Sequence, residues 1–384
     1  MSSRADASRR SVGLRITAGV CGAFLFYALA RALVASAWPW QRAFDDFFFL
    51  PETLRWIAGG ALGSDATFAR VPLWHLLLGA HLRAFGHAGL LVLQAWIVLA
   101  TCIGYGLRVG ACAGWISWIP LWIFLASPQI LLYSRQGVNE LFVGLLTLGV
   151  LGLGEWRGAR AALAMGVLVG LATCTKLSAC LLGLVACGYA LREGRGAGQA
   201  FARLALGFAL VSVPLLGFAA AQRGSWLIDN TTAFNLSGMT LDEWRALPDA
   251  ATRQAAGMER WWQAFSGAPA GYLLGASRRA LDWLVTPSSA DFELFYPEYP
   301  LAWIRVADTA AFAALTSLAL LGTSRRNAFA WLVYAGWTAA CAFPQFTPRS
   351  PKVILLFAAL LPAAHGIARI SGRIRSLSVA EDPA

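Results

Sequence analysis

The sequence has little charge for its length. Charged residues make up 13% of the 384 residues and hydrophobic residues 58%, whereas a soluble globular protein carries about 25% charged residues. The mean hydropathy is +0.58. The apolar residues form continuous runs of about 15 to 24 residues, long enough to cross a hydrocarbon core roughly 30 Å thick. This pattern predicts an all-α polytopic membrane protein, and it excludes a cytosolic enzyme, a secreted disulfide scaffold and a β-barrel of alternating strands.

Lysine and histidine are also scarce. The basic set of 31 residues contains only Lys176 and Lys352 besides arginine, and the chain has four histidines. Although the net charge is +11, the arginines are scattered singly between apolar runs, so they indicate membrane topology and not a nucleic-acid partner. The seven cysteines lie inside the runs without metal-type pairing and are expected to pack as small apolar side chains.

Runs with few charges define ten candidate spans, and the basic residues between them set the orientation. With the N-terminus in the cytoplasm, fifteen Arg residues fall on the inner side and four basic residues in the short outer loops. The positive-inside rule therefore predicts that both termini are cytoplasmic. The spans are about 14–37, 87–107, 110–132, 139–156, 161–175, 177–191, 204–221, 304–322, 328–344 and 353–367.

The chain has two long outer segments, and the second of them divides it into three parts. Residues 1–221 form an N-terminal transmembrane module of about seven helices, residues 222–303 a small helical outer cap, and residues 304–384 a C-terminal module of about three helices with a short tail. The first outer loop, 38–86, contains helical apolar spacing in 51–62 and 70–86. We expect two amphipathic helices there, lying at the membrane interface.

Small residues recur at a spacing that allows helices to approach closely. Gly110-x-x-x-Gly114 and Gly166-x-x-x-Gly170 lie within or beside predicted spans. With 38 glycines in the chain, such spacings also arise by chance, so they are weak indications of close packing.

An acidic pair follows the first span at interface depth. Asp45 and Asp46 stand among Phe44, Phe47 and Phe48. Burying two adjacent carboxylates among aromatic rings is costly unless a cation pairs with them or catalysis uses them. Partial desolvation would raise the pKa of one and suit a general base. The equally good alternative is an exposed pair that caps the helix after Pro51.

Several cations stand at or near the outer ends of spans. They are Arg70, Arg135, Lys176, Arg349 and Lys352. Each of them alone is explained by snorkelling of its side chain into the lipid headgroups. Together they mark the face that carries Asp45 and Asp46, and a lipid-tailed phosphate suits such a set. Glu140, at the start of the fourth span, either interacts with the helix dipole or orients Arg135 or a substrate hydroxyl.

The histidines do not indicate a metal site. His75, His81 and His87 are spaced six residues apart, and this spacing does not repeat on one helix face. They are interpreted as interfacial polar residues. The acidic pair leaves a divalent ion possible, although fixed cations make it unnecessary.

The order of these motifs resembles the GT-C glycosyltransferases, in particular the protein O-mannosyltransferases and the bacterial aminoarabinose transferases of lipid A. The likeness spans about 45–355, with Val71 where the family often has a second proline and Asp-Asp where Asp-Glu is frequent. The matching segments are Phe44-Asp45-Asp46, Arg70-Val71-Pro72-Leu73-Trp74, Leu132-Tyr133-Ser134-Arg135 with Asn139-Glu140, Gly170-Leu171-Ala172 running to Lys176, and Arg349-Ser350-Pro351.

The resemblance implies a sugar transfer on the outer leaflet, from a polyprenyl-phosphate donor to a hydroxyl of a lipid, glycan or protein acceptor. Asp45, or Asp46 as the next choice, would deprotonate the acceptor, in an inverting displacement. The cations would hold the lipid phosphate: Arg70, Lys176, Arg349 and Arg135. Glu140, Trp74 and Tyr133 would position the substrate, and the cap would select the acceptor.

Two other functions stay open on the sequence. A transporter or flippase of a lipid-linked sugar would use the same outer cations, but it needs polar residues along a path through the midplane. The predicted span centres are almost purely apolar apart from Arg31 and Asp308. An outer-leaflet acyl- or phosphoalkyl-transferase would need a His-centred acid/base pair, for which His75 and His81 are the candidates. High Ala, Gly and Arg content indicates a GC-rich bacterial genome, and hence an inner membrane with a periplasmic site.

Overall fold

The computed structural model describes residues 2–37, 50–60, 71–109, 114–135, 139–156, 158–223, 231–286, 302–324, 327–344 and 351–371. Over this part of the chain the protein is all-helical, with 89% helix and no strand. The predicted fold class is therefore confirmed at the level of an all-α membrane protein.

Ten helices lie in the N-terminal part of the chain, as far as the structure describes it. Short 3-10 turns at Gly86–Ala88, Gly114–Trp118, Leu177–Leu181 and Gly194–Gly196 connect some of them. The helices are α1 (Ser2–Ala37), α2 (Leu50–Ile57), α3 (Leu73–Phe85), α4 (Gly89–Val109), α5 (Ile119–Ala126), α6 (Pro128–Tyr133), α7 (Glu140–Leu153), α8 (Ala159–Thr175), α9 (Leu182–Leu191) and α10 (Ala197–Arg223).

Seven further helices follow among the described residues. Four of them lie in the predicted cap and three in the C-terminal part. They are α11 (Thr231–Ser237), α12 (Leu241–Ala246), α13 (Ala250–Gly267), α14 (Pro269–Val285), α15 (Ala302–Leu321), α16 (Phe329–Ala342) and α17 (Lys352–Ile370). Helices α2 and α3 occur where the two amphipathic segments of the first outer loop are predicted.

Within the described ranges, five helical stretches are long and apolar enough to cross a membrane: Val12–Val34, Leu73–Val109, Gly194–Gln222, Ala302–Leu321 and Lys352–Ile370. Five shorter apolar helices of 10–17 residues lie at the other predicted spans: Trp115–Ala126, Glu140–Leu153, Ala159–Thr175, Leu177–Leu191 and Phe329–Ala342. The helices indicate a membrane protein, and the count of ten spans stays a prediction.

Helix α17 forms the centre of the bundle. Its most apolar 18-residue window is 72% buried, against 17% in the first span and 22% in the span that contains α10. It packs against α7, α15 and α16, and the ring of Phe357 lies so close to Gly144 of α7 that no Cβ would fit there. A helix that is apolar all round belongs in such a core, whereas α1 and α10 have the exposed apolar faces that lipid covers.

Glycine allows two helix pairs to meet backbone to backbone. On α8, a Cβ at Gly166 would collide with the Leu204 carbonyl of α10, and Gly170 approaches the Phe208 carbonyl. Between α15 and α17, Gly322 meets the Pro362 carbonyl in the same way. The predicted packing role of Gly166-x-x-x-Gly170 is confirmed, whereas Gly110 lies outside the described residues.

The segment 231–286 has a small core of its own. Trp244 of α12 is fully buried and packs against Phe234 and Met258, with the ring of Phe234 5.2 Å from that of Trp244. Thr240 and Glu243 form a capping box at the start of α12, and Asp249 accepts a hydrogen bond from the Thr252 N–H at the start of α13. These caps satisfy N–H groups that the first helical turns leave unpaired.

Candidate functional site

A double link joins the start of α7 to the end of α8. Lys176 Nζ lies 2.6 Å from Glu140 Oε1, and Asn139 Nδ2 donates to the Thr175 carbonyl at 2.7 Å. Asn139 and Glu140 at the start of α7 therefore bind Thr175 and Lys176 at the end of α8. The link fixes the relative position of the two helix ends.

Local sequence explains why these side chains point at each other. Glu140 is the first residue of α7, where the positive end of the helix dipole favours a carboxylate. The chain leaves the helical conformation at Lys176, which is extended with φ −152° and ψ 117°. This change ends α8 and places the ammonium beside the carboxylate.

The ion pair is unevenly exposed. The Lys176 side chain is 24% exposed and the Glu140 side chain 6%. An ammonium has three N–H donors, of which Glu140 takes one. The ammonium is held in place by Glu140 and still has donors for an anion that reaches its exposed side.

Arg135 lies at the same end of the bundle. It follows α6, and its Nη1 donates to the Val34 carbonyl in the last part of α1 at 3.5 Å. The nearby residue Tyr133 is buried and belongs to the main core. Only residues 136–138 separate this segment from Asn139, so Arg135 and the Glu140–Lys176 pair belong to one region.

A second arginine stands beside this segment. The Tyr27 hydroxyl of α1 lies next to Ser134 and Arg31, and Arg31 Cζ is 6.0 Å from the Tyr27 ring centroid. Sequence reasoning did not assign Arg31 to the site, although a charge inside an otherwise apolar span is the signal that marks it. Arg31 therefore lies on the part of α1 that faces Ser134, the residue before Arg135.

Trp74 connects the first outer loop to the same region. Its side chain is fully buried, and its ring lies 6.3 Å from that of Phe142 in the first turn of α7. The buried indole acts by packing α3 against the start of α7. Trp74 and Tyr133 both belong to the main core of the bundle.

Lys352 differs from the other outer cations. It is almost fully buried, and its Nζ donates to the carbonyls of Leu284 at 2.7 Å and Thr286 at 2.6 Å. The ring of Phe312 lies 4.9 Å away. Carbonyls at the end of a helix have no partner within the helix and attract cations. The Lys352 ammonium therefore binds the end of α14, in contrast to the four outer cations that are expected to hold the lipid phosphate.

A buried polar cluster in the first outer loop was not predicted. Thr53 Oγ1 lies 2.9 Å from His75 Nδ1, and Glu52 Oε2 lies 3.3 Å from His75 Nε2. All three side chains are buried, so His75 is not the interfacial polar residue that its spacing predicts. The cluster joins α2 to α3, and its signal in the sequence is the adjacent polar pair Glu52-Thr53 in an amphipathic helix that precedes a histidine-containing one.

Four predicted site residues lie outside the described residues. They are Asp45, Asp46, Arg70 and Arg349. Within the described part of the chain, no three His, Cys, Asp or Glu residues lie close enough together to hold a metal ion. Of the predicted set, the structure pairs Glu140 with Lys176, places Arg135 against the Val34 carbonyl, and buries Trp74 and Tyr133 in the main core.

Comparison with known proteins gives no match. No family model matches the chain, and no significant match is found among curated proteins or solved structures. The likeness to the GT-C glycosyltransferases rests on the ordered motifs alone.

Proposed function

We propose that the protein is a membrane glycosyltransferase that moves a sugar from a polyprenyl-phosphate donor to an acceptor hydroxyl at the outer face of a bacterial inner membrane. The observation that supports this function best is the Glu140–Lys176 pair, with its partly exposed ammonium at a helix end. A donor with a lipid tail presents its phosphate at membrane depth, where such an ammonium is available.

The cations serve the leaving group. Lys176, whose position Glu140 and Asn139 fix, contacts the phosphate of the donor, and Arg135 adds a planar guanidinium from the adjacent segment. Fixed cations stabilise the charge that develops on the departing phosphate without reorganisation. Arg70 and Arg349 complete the set in this proposal.

The reaction is a single displacement with inversion. The acceptor oxygen forms a bond to the anomeric carbon while the bond from that carbon to the phosphate oxygen breaks. Asp45, with Asp46 as the next choice, takes the hydroxyl proton, and polyprenyl phosphate leaves as the anion. The segment 222–303 covers the site and selects the acceptor, and ten spans place both termini in the cytoplasm.

Binding of polyprenyl phosphate, the carrier that the reaction releases, tests the role of Lys176. The variant Lys176→Met removes the ammonium and nearly keeps the side-chain volume. Arg160→Met is the matched control, because Arg160 is exposed near the start of α8, the helix that ends just before Lys176. A charge-assisted hydrogen bond contributes about 1.5–3 kcal/mol, so we expect Lys176→Met to weaken binding by about 10- to 100-fold.

The control should bind as the wild type does. Equal affinity for both variants and the wild type would contradict a phosphate site at Lys176. Specific binding without any release of carrier, across donors and acceptors, would favour the transporter.

A further inference from the structure

Helix α14 has an apolar face that nothing in the described structure covers. Leu274, Leu281 and Val285 are 57%, 65% and 71% exposed. They are seven and four residues apart, so they lie on one side of the helix. Leu273 is also exposed beside this stripe. Exposed apolar patches of this kind mark a surface that contacts a partner or a membrane.

The opposite face of α14 is tied to the bundle near both of its ends. Near its start, the Tyr272 hydroxyl donates to the Phe343 carbonyl at 2.7 Å, just after α16 ends. Further along, Arg279 Nε donates to the Ala342 carbonyl at 2.8 Å. At its end, the Leu284 carbonyl accepts from Lys352 at the start of α17.

These anchors lie at one boundary of the membrane. Helix α17 is long enough to span, and residues 343–351 alone connect it to α16, so the end of α16 and the start of α17 face the same side. Tyr272 and Leu284 are twelve residues apart, which is about 18 Å along a helix. The end of α16 and the start of α17 hold α14 at these two points from the same side of the membrane. Helix α14 therefore lies along the membrane surface.

We propose that α14 is an in-plane interfacial helix whose Leu274, Leu281 and Val285 insert into the boundary between the headgroups and acyl chains of the phospholipid bilayer. Arg278 is exposed at the edge of the stripe, where its guanidinium meets lipid phosphates. Helices that bind a membrane surface typically lie in its plane, with one apolar side towards the lipid and one polar side. The partner is the lipid surface itself, and the inference does not depend on the proposed glycosyl transfer.

Photo-crosslinking in the full-length protein tests this contact. A benzophenone amino acid replaces Leu281 in one variant and Leu274 in another, and each variant is reconstituted in phospholipid nanodiscs. The same group at Asp242, which is exposed on α12, is the control. After irradiation, mass spectrometry of the intact protein counts covalent lipid adducts.

We expect lipid adducts at positions 281 and 274 at least five-fold more often than at position 242. Position 285 tests the same face if a variant at 281 is not recovered as a monodisperse protein. A crosslink to a second copy of the chain, or equal adduct yields at 281, 274 and 242, would overturn the proposal.

Discussion

The two lysines of the chain have different surroundings and therefore different roles. Lys176 shares its ammonium with one carboxylate and keeps an exposed side, whereas Lys352 is buried against two carbonyls of the helix end that it holds. Both lie at helix ends, and the sequence does not distinguish them. What distinguishes them is the tertiary partner. The C-terminal end of α14 lies against Lys352, and the Glu140 carboxylate lies beside Lys176.

Replacing Lys352 should loosen the end of α14. Lys352→Met leaves the carbonyls of Leu284 and Thr286 without the ammonium, and losing such a bond costs about 1–3 kcal/mol. We expect a lower melting temperature in detergent and faster hydrogen exchange in 280–286. Arg160→Met, the control, should change neither, and an unchanged exchange rate in the Lys352 variant would show that the contact does not hold α14.

Replacing His75 should destabilise the first outer loop. His75→Ala removes a buried ring that binds Thr53 and lies beside the Glu52 carboxylate. A buried network that loses one member costs about 3 kcal/mol. His81→Ala is the control, because His81 is only partly buried and bonds to the Leu77 carbonyl of its own helix. Thermal melting of both variants measures the difference, and equal melting temperatures would contradict a structural role for His75.

At the site, the sequence predicts positions better than partners. It places Glu140 and Lys176 at helix ends because spans end where charge appears, and the structure pairs them. The bond from Asn139 to Thr175 and the cluster around His75 were not predictable, since both depend on how separate elements meet. Spacing along one helix says nothing about a partner on another.

At the scale of helices, glycine sets the closest contacts. The α8–α10 pair brings the backbone of Gly166 against the Leu204 carbonyl and that of Gly207 against the Leu163 carbonyl. Without side chains at these positions, packing contacts can stabilise a helix pair that gains little from the hydrophobic effect in lipid.

A methyl group at Gly166 should separate these helices. In Gly166→Ala the new Cβ collides with the Leu204 carbonyl, and overpacking of this kind costs about 1–3 kcal/mol. Gly217→Ala on α10 is the control and should melt like the wild type, because nothing lies within 4 Å of the position that its new methyl group would take. A melting temperature unchanged by Gly166→Ala would show that the two helices are not in close contact.

The caps of α12 and α13 make this segment sensitive to acid. The Thr240 backbone N–H, followed by Arg260, lowers the pKa of Glu243 from its ordinary value of 4.5. The Thr252 backbone N–H lowers the pKa of Asp249 from 3.8. A carboxylate whose pKa is lower in the folded state stabilises that state above its ordinary pKa, and this contribution is lost as the pH falls through the lowered value.

The double variant Glu243→Gln and Asp249→Asn should mimic this loss at neutral pH. We expect lower hydrogen-exchange protection factors in 240–253 at pH 7, and a difference from the wild type that shrinks below about pH 4 as the wild-type carboxylates protonate. Glu259→Gln, an exposed carboxylate inside α13, is the control. A difference from the wild type that persists unchanged at low pH would contradict the role of the two charges.

For the molecule as a whole, apolar runs predict where the helices lie. Helices occur at every predicted span within the described residues, because a run of apolar residues at membrane depth satisfies its backbone only as a helix. The runs do not predict which helix is central. That α17 occupies the core and α1 its edge depends on which faces meet, and both helices look alike as sequences. The short helices α5 and α6, divided at Ser127 before Pro128, were not predicted as two.

A turnover assay measures the proposed transfer of a sugar from a lipid phosphate. The purified protein in detergent is given a panel of polyprenyl-phosphate sugars with membrane extract as acceptor, and released polyprenyl phosphate is measured for the wild type and for Asp45→Asn. The proposed transfer requires release by the wild type with at least one donor, and a loss of about 10²-fold or more in the variant while the donor still binds. Equal release by the wild type and by a boiled sample, across the panel and several extracts, would contradict it.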